Sequence, residues 1–212
     1  MSSEFGYIPK SPKQSFGNNK GIFTLTDIYD LTRLDVFTNY GQLELIETQN
    51  VTSAVTNIDF VNLQEDLYEE HLLTCNNVET LTDSRHLVAR LSNDGGSTYE
   101  TGSYINSYLS NNGAGGQASG VNTFLQYLSA SLGTASNERG NGFIKFYNLG
   151  NSSVRSSCNS VFSDWRYDSS LQTSLGFAQR NAYEINNAIR LTGHATTTWK
   201  GSYSLYGVKR YN

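Results

Sequence analysis

Residues that carry chemistry are scarce in this 212-residue chain. Its two cysteines, Cys75 and Cys158, lie far apart and in no Cys-x-x-Cys spacing. That excludes a disulfide framework. Each reads first as a small core residue, with one bridge between them left open should the protein meet an oxidising exterior. The three histidines, His71, His86 and His194, are solitary in sequence. Zinc needs about four ligands with local pairing, so no metal and no other cofactor is expected. Charge is scarce as well: Asp, Glu, Lys and Arg make 16% of the chain, below the ~25% usual in globular domains. A net charge of −4 supplies no cationic field for phosphate, which argues against nucleic-acid and anionic-membrane partners. No apolar run approaches the ~18 residues of a membrane span, and Met1-Ser-Ser-Glu-Phe5 lacks the basic and apolar regions of a signal peptide. Membrane insertion is therefore not expected, and synthesis in the cytoplasm is.

Catalytic patterns are missing too. No Gly-x-Ser-x-Gly elbow marks a strand-to-helix junction, and abundant serine without a base and an orienting group is not a triad. Glu69 and Glu70 are adjacent in a strand-like stretch, so they point to opposite faces and do not share a glycosidase site. Asp164 and Asp168, in Asp164-Trp-Arg-Tyr-Asp168, form the better pair, because Trp165 and Tyr167 between them can stack a sugar ring. The simpler reading of that stretch is a polar loop with one Trp buried. Asn112-Gly-Ala-Gly-Gly116 is followed by no Lys-Ser/Thr, so it reads as a flexible loop tip and not a phosphate cradle. The chain is expected not to be an enzyme.

What is abundant is uncharged polarity: Ser, Thr, Asn, Gln and 19 Gly make roughly two-fifths of the residues. The only prolines, Pro9 and Pro12, fall in a first stretch of twenty residues with no apolar period. Phe5, Tyr7, Ile8 and Phe16 are apolar anchors there, as suits an extended arm that docks on a neighbour. Thr26 to Leu34 follows with helical spacing of Ile28, Leu31 and Leu34, a capping Thr26, and Asp27 at the positive helix start. From Gly41 the apolar period becomes two. Strand candidates are Gln42–Gln49, the stretches around Ile58 and Phe60, His71 to Cys75 and Leu87 to Leu91, then Tyr99–Tyr108, Thr123–Ser129, Phe143–Leu149, Ala188–Thr192 and Trp199–Tyr206. Asp94-Gly95 predicts a tight hairpin turn, and 110–120 and 132–141 read as exposed loops. The division expected is 1–40, a docking arm with a short helix, and 41–212, a mainly β domain of β-sandwich or jelly-roll type. Fourteen tyrosines exceed what the inner faces of a thin sandwich need, so some are expected outside, on loop surfaces or at subunit contacts.

Particular residues also carry a likeness to a family. Gly21-Ile-Phe-Thr-Leu-Thr-Asp-Ile-Tyr-Asp-Leu31 resembles a segment of tailed-phage structural proteins that leads into a β-domain. Val55 to Ser97, with Ile58-Asp-Phe60, His71-Leu-Leu-Thr-Cys-Asn-Asn77 and the closing Ser-Asn-Asp-Gly-Gly, is similar to virion appendage domains of cyanophages and other marine phages. Phe143 to Ser152 and the terminal Trp199-Lys-Gly-Ser-Tyr-Ser-Leu-Tyr-Gly-Val-Lys209 agree. The resemblance implies a non-enzymatic virion component, a compact tail fibre or a baseplate or tail adaptor used in assembly or host attachment. It implies a homotrimer in contact with other virion proteins and carries over no catalytic residue. The chain lacks any shaft repeat, which argues against a long fibre. The alternatives are a capsid decoration protein on the head surface, or a β-sandwich that binds a host surface glycan through Trp165 and Tyr167.

Overall fold

A computed structural model describes residues 14–15, 18–19, 24–34, 43–111, 116–129 and 131–209. The chain divides into two compact units, Met1–Gln42 and Leu43–Arg210. Phe5, Tyr7, Ile8 and Phe16 lie outside the described residues, so the docking-arm expectation does too. In the first unit, two short strands, β1 (Gln14–Ser15) and β2 (Asn18–Asn19), pair antiparallel. Helix α1 spans Leu25–Arg33. Its cap is Thr24 and not Thr26: the Thr24 hydroxyl oxygen accepts the Asp27 N–H at 3.2 Å, while the Asp27 carboxylate accepts the Thr24 N–H at 2.8 Å. This reciprocal pair satisfies two donors that a helix start leaves free.

The second unit is a sandwich of two antiparallel sheets. Its strands are β3 (Leu43–Val55), β4 (Asn57–Phe60), β5 (Tyr68–Thr80), β6 (Leu87–Ser92), β7 (Tyr104–Asn111) and β8 (Gly116–Asn122), followed by β9 (Gln126–Tyr127), β10 (Gly140–Tyr147), β11 (Ser157–Trp165), β12 (Leu171–Arg180), β13 (Ala188–Gly193) and β14 (Trp199–Lys209). The large sheet has the order β3-β14-β5-β10-β11-β12-β7-β8 and the small one β4-β13-β6-β9. The chain therefore changes sheet at most connections. The core lies between the sheets, where Leu73, Ile144, Phe146, Trp199, Tyr203 and Leu205 of the large sheet meet Ile58, Phe60, Leu87, Leu91 and Leu191 of the small one. Strand geometry puts these residues inside: along β6, Leu87, Ala89 and Leu91 face the core, while on the other side Arg90 is half-exposed and Val88 is covered. Where β14 passes the ring of Tyr68, Gly207 leaves room that any Cβ would fill.

Several sequence expectations change here. Asp94-Gly95 does form a turn, with φ of 72° at Gly95 and 86° at Gly96. It joins no hairpin, because β6 lies in the small sheet and the next strand, β7, in the large one. The turn is held by Asp94, whose carboxylate accepts from Ser92, Thr98 N–H and the Thr98 hydroxyl. These bonds stabilise the anion and hold its pKa at about 2. Tyr99 lies in the connection, not in a strand; its ring sits 3.9 Å from the Arg190 guanidinium, which also forms a two-pronged pair with Asp59. The stretch 110–120 is not simply a loop, since β7 and β8 pair through it with Leu109 opposite Gln117. Nor is 132–141 fully exposed: Leu132 is buried and bridges Arg85 and Arg166.

Candidate interaction surface

Strands β7, β11 and β12 break the usual inside-outside rule, and the candidate site follows from that. On β12 the inward residues are Gln172, Ser174, Gly176, Ala178 and Arg180, while Leu171, Leu175 and Phe177 point outward. On β7 the inward residues include Asn106 and Ser110, and Ile105 and Leu109 are exposed. On β11 the inward Ser160 and Asp164 are buried, whereas Val161 and Trp165 face out. The pairing register brings the outward apolar residues side by side. Leu109 stands opposite Leu175, Leu175 opposite Val161, and Val161 opposite Phe143 of β10, which makes one row across four strands. Trp165 is paired with Leu171 at one end, and Ile105 with Val121 of β8 at the other. Leu175 is 47% exposed, Leu109 49%, Phe177 53% and Val121 73%.

Charge is nearly absent from this face. Among the described outward positions of β7, β8, β10, β11 and β12, Lys145 alone is charged, and Glu70 of β5 pairs with it. Asn159, Ser163, Thr173 and Ser107 are among the other outward positions, which carry neutral polar groups. A sheet face with an apolar row and no unpaired charge can exclude water against a matching surface.

Beneath that face the interior is polar. Asp164 is 1% exposed, and neither of its carboxylate oxygens meets a well-formed hydrogen bond among the described residues. Burial pushes its pKa up to about 7, against the opposing pull of Arg166 and Ser129. Gln172 stands opposite Asp164 across the strands, and its Oε1, like Oγ of Ser174, is also buried without a partner. Gln126 of β9 reaches down from the small sheet and donates to Oγ of Ser160 at 3.2 Å. It fits because Gly176 has no side chain; a Cβ there would fall on the amide nitrogen. At the far end of β12, Arg180 is anchored by Glu184 at 2.7 Å, Glu100 at 3.0 Å and the Gly102 carbonyl at 2.8 Å.

The residues singled out in the sequence fare unequally. Trp165 is not buried in a loop: it ends β11 and lies 41% exposed, on the apolar face. Tyr167 is exposed in the tight β11–β12 turn, with the Arg166 guanidinium 5.3 Å from its ring. Asp164 and Asp168 do not share a site, because Asp164 points into the core and Asp168 caps the turn by accepting from Ser170. Glu70 and Glu69 diverge as strand geometry requires: Glu70 pairs with Lys145, and Glu69 lines a shallow polar cleft with Glu65 and Asp66. Cys75 and Cys158 are free and buried. They sit on β5 and β11 with β10 between them, and Cys75 is in register with Gly142 while Cys158 is in register with Phe146. That separation is beyond the ~7 Å Cα limit of a disulfide.

Two histidines that are solitary in sequence come together. His86 and His194 have ring centroids 6.2 Å apart, in an aromatic group with Phe124, Tyr127 and Tyr108. Burial and the neighbouring His194 hold His86 below the ordinary histidine pKa. Among the described residues no group of three His, Cys, Asp or Glu side chains is placed to hold a metal ion. No described helix is long and apolar enough to cross a membrane. No family model, no curated protein and no solved structure matches the chain.

Proposed function

We propose that this chain is a structural module of a phage virion, a compact tail fibre or a baseplate or tail adaptor, that works by surface contact in assembly or host attachment. The observation that carries the reading is the outward apolar row Leu109, Leu175, Val161 and Phe143 on a sheet whose inner side at the same strands is polar. A sandwich serving only its own stability would place those residues inside. The sequence resemblance to virion appendage domains supplies the setting, with three copies and other virion proteins as the partners. The alternation of the chain between sheets also suits a jelly roll: β4-β13-β6-β9 faces β5-β10 and β7-β8, with the β11–β12 hairpin inserted between the two pairs and β3 and β14 added at the edge.

The test is recovery of the chain in purified intact particles, with particle-bound copies located by low-resolution imaging. Removal of residues 1–20 is expected to leave the sandwich's melting temperature nearly unchanged while abolishing incorporation. A capsid decoration protein would be located on the head. The exposure of Trp165 and Tyr167 favours one further reading, glycan binding, which an array of host-surface glycans tests directly. Binding lost in Trp165→Ala would support that reading.

A further inference from the structure

We infer that the outward face of β7, β11, β12 and β10 is the contact between copies of this chain, each copy laying its face on that of a neighbour. This deepens the structural-module reading by naming the partner, and three observations lead to it. The first is area. Ile105, Leu109, Val121, Phe143, Leu175 and Phe177 are each between 39% and 73% exposed, and Trp165 and Leu171 extend the same face. Together they present on the order of 700 Å² of apolar surface, interspersed with neutral polar positions such as Ser107, Asn159 and Thr173, near the ~800 Å² per partner of a standard interface.

The second is charge. The chain carries a net −4, yet this face carries none that is unpaired, since Lys145 is neutralised by Glu70. A surface built for a foreign partner commonly bears charge that steers and selects it. A neutral face meets its own copy without like-charge repulsion, and a face laid on itself makes a two-fold contact that pairs two chains, in place of the three copies the resemblance implies. The third is shape. The row Leu109–Leu175–Val161–Phe143 lies on paired strands, and sheet faces of this kind stack ~10 Å apart with interdigitating side chains, as the two sheets within the sandwich do.

The experiment is light scattering on the purified full chain at about 20 μM, with the double variant Leu175→Lys, Phe177→Lys beside it. Both positions are about half exposed in the single chain, so the variant should keep the far-UV spectrum of the parent and, at submicromolar concentration, its thermal transition. In a face-to-face contact each lysine would be buried unpaired, weakening association at least ~100-fold. The expected result is a parent mass of two chains of 23.5 kDa and a variant mass of one, and a parent of three chains would overturn the face-to-face contact. A control, Val154→Lys, alters an exposed apolar residue away from the face and should keep the parent mass. Should the double variant lose its spectrum, the milder Phe177→Gln is read instead and should raise the dissociation constant by ~10-fold or more. A parent of single-chain mass overturns the proposal, and cross-linking of Trp165 to another virion protein would then make the occupant foreign. A folded variant that keeps the parent mass overturns it as well. The measurement needs no virion, so a chain absent from particles would sink the virion reading and leave this one standing.

Discussion

On β14, β5 and β10 the inward side chains include Trp199, Tyr203, Leu205, Leu73, Cys75, Ile144 and Phe146, whereas on β12 and β7 Gln172, Ser174, Asn106 and Ser110 stand inward beside Ala178 and Tyr104. Both sets belong to one continuous sheet, and both are buried. The first half gains its stability from apolar area removed from water, at roughly 25 cal/mol per Å². The second half buries amides and hydroxyls and leaves Leu109, Leu175 and Phe177 outside, and both halves hold buried polar atoms without a partner, Gln172 and Ser174 here, His71 and Trp199 in the first. Each such orphan costs free energy that an aliphatic residue would not. The two halves differ in kind: the first is held mainly by apolar burial, and the second leaves a row of apolar side chains on its outer side.

The largest loss of stability is expected in the dry half. Trp199 is fully buried at the start of β14, and Trp199→Ala should cost ~3–5 kcal/mol, read as a fall in the urea midpoint. A loss below ~1 kcal/mol would mean that the core is not where stability resides.

The wet half is sharpened through pH. Asp164 has its folded pKa raised to about 7, above the ~3.9 of an unfolded Asp, so the folded state holds a proton that the unfolded state has lost. Stability from this group is therefore fully present below pH ~4, declines as pH rises, and is gone above ~7, a change on the order of 2–4 kcal/mol. His71 and His86 are held low by burial and act oppositely as pH falls below ~6.5. Asp94, held at about 2, titrates below that window. The readout is thus the difference between Asp164→Asn and the parent: urea midpoints measured from pH 4 to 8 should converge on or favour the variant as pH rises. Parallel curves would show that Asp164 is ionised and satisfied in the folded state.

How much of this was legible in the sequence follows from the same comparison. Where apolar residues alternate inward, as in Leu87–Leu91, Ala188–Thr192 and Trp199–Leu205, period two located β6, β13 and β14. The helix was legible from Ile28, Asp27 and Leu31, although its cap lay at Thr24. β11 and β12 escaped notice because Ser157 to Arg180 interleaves small polar residues with apolar ones that face water, so the alternation carries no clean inward signal. β8 escaped because Gly116-Gln-Ala-Ser-Gly has turn-like composition and is a strand only through its register with β7. The candidate surface was invisible for a related reason. Trp165 was noticed as an aromatic, but its neighbours Leu171, Phe143 and Leu109 join it only through pairings between distant segments. The pairing of His86 with His194 likewise needs the fold.

Next in size is Arg180, which closes the polar interior at the end of β12. Its side chain is 7% exposed and holds Glu100 and Glu184 from two connections. Arg180→Ala would leave both carboxylates without their cation and the Gly102 carbonyl without its donor, at a cost of about 2 kcal/mol, since the glutamates are partly solvated. Arg180→Lys should recover only part of it, because one ammonium does not reproduce the fork that meets three acceptors. Full recovery by Arg180→Lys would make the contribution one of charge alone, and equal stability of the two variants would make it one of the fork alone.

The smallest effect is expected on the outer face, and it separates fold from association. Phe177 is 53% exposed and stands between Asn159 and Ser107 on the neighbouring strands. Truncation to Ala in a single chain leaves no cavity, so the transfer and cavity losses that make Trp199→Ala costly are mostly absent. Residual packing across strands is worth ~0.2–1 kcal/mol per pair. At submicromolar concentration, where association through the face is weak, Phe177→Ala should shift the urea midpoint by the equivalent of less than ~0.5 kcal/mol. At tens of micromolar the same variant should lose more, because the parent then gains stability from association by mass action and the variant does not. A shift that is small at low concentration and grows with concentration assigns Phe177 to the contact between chains. One that is large and independent of concentration would place its ring in the domain's own packing and return the outer face of β12 to the fold.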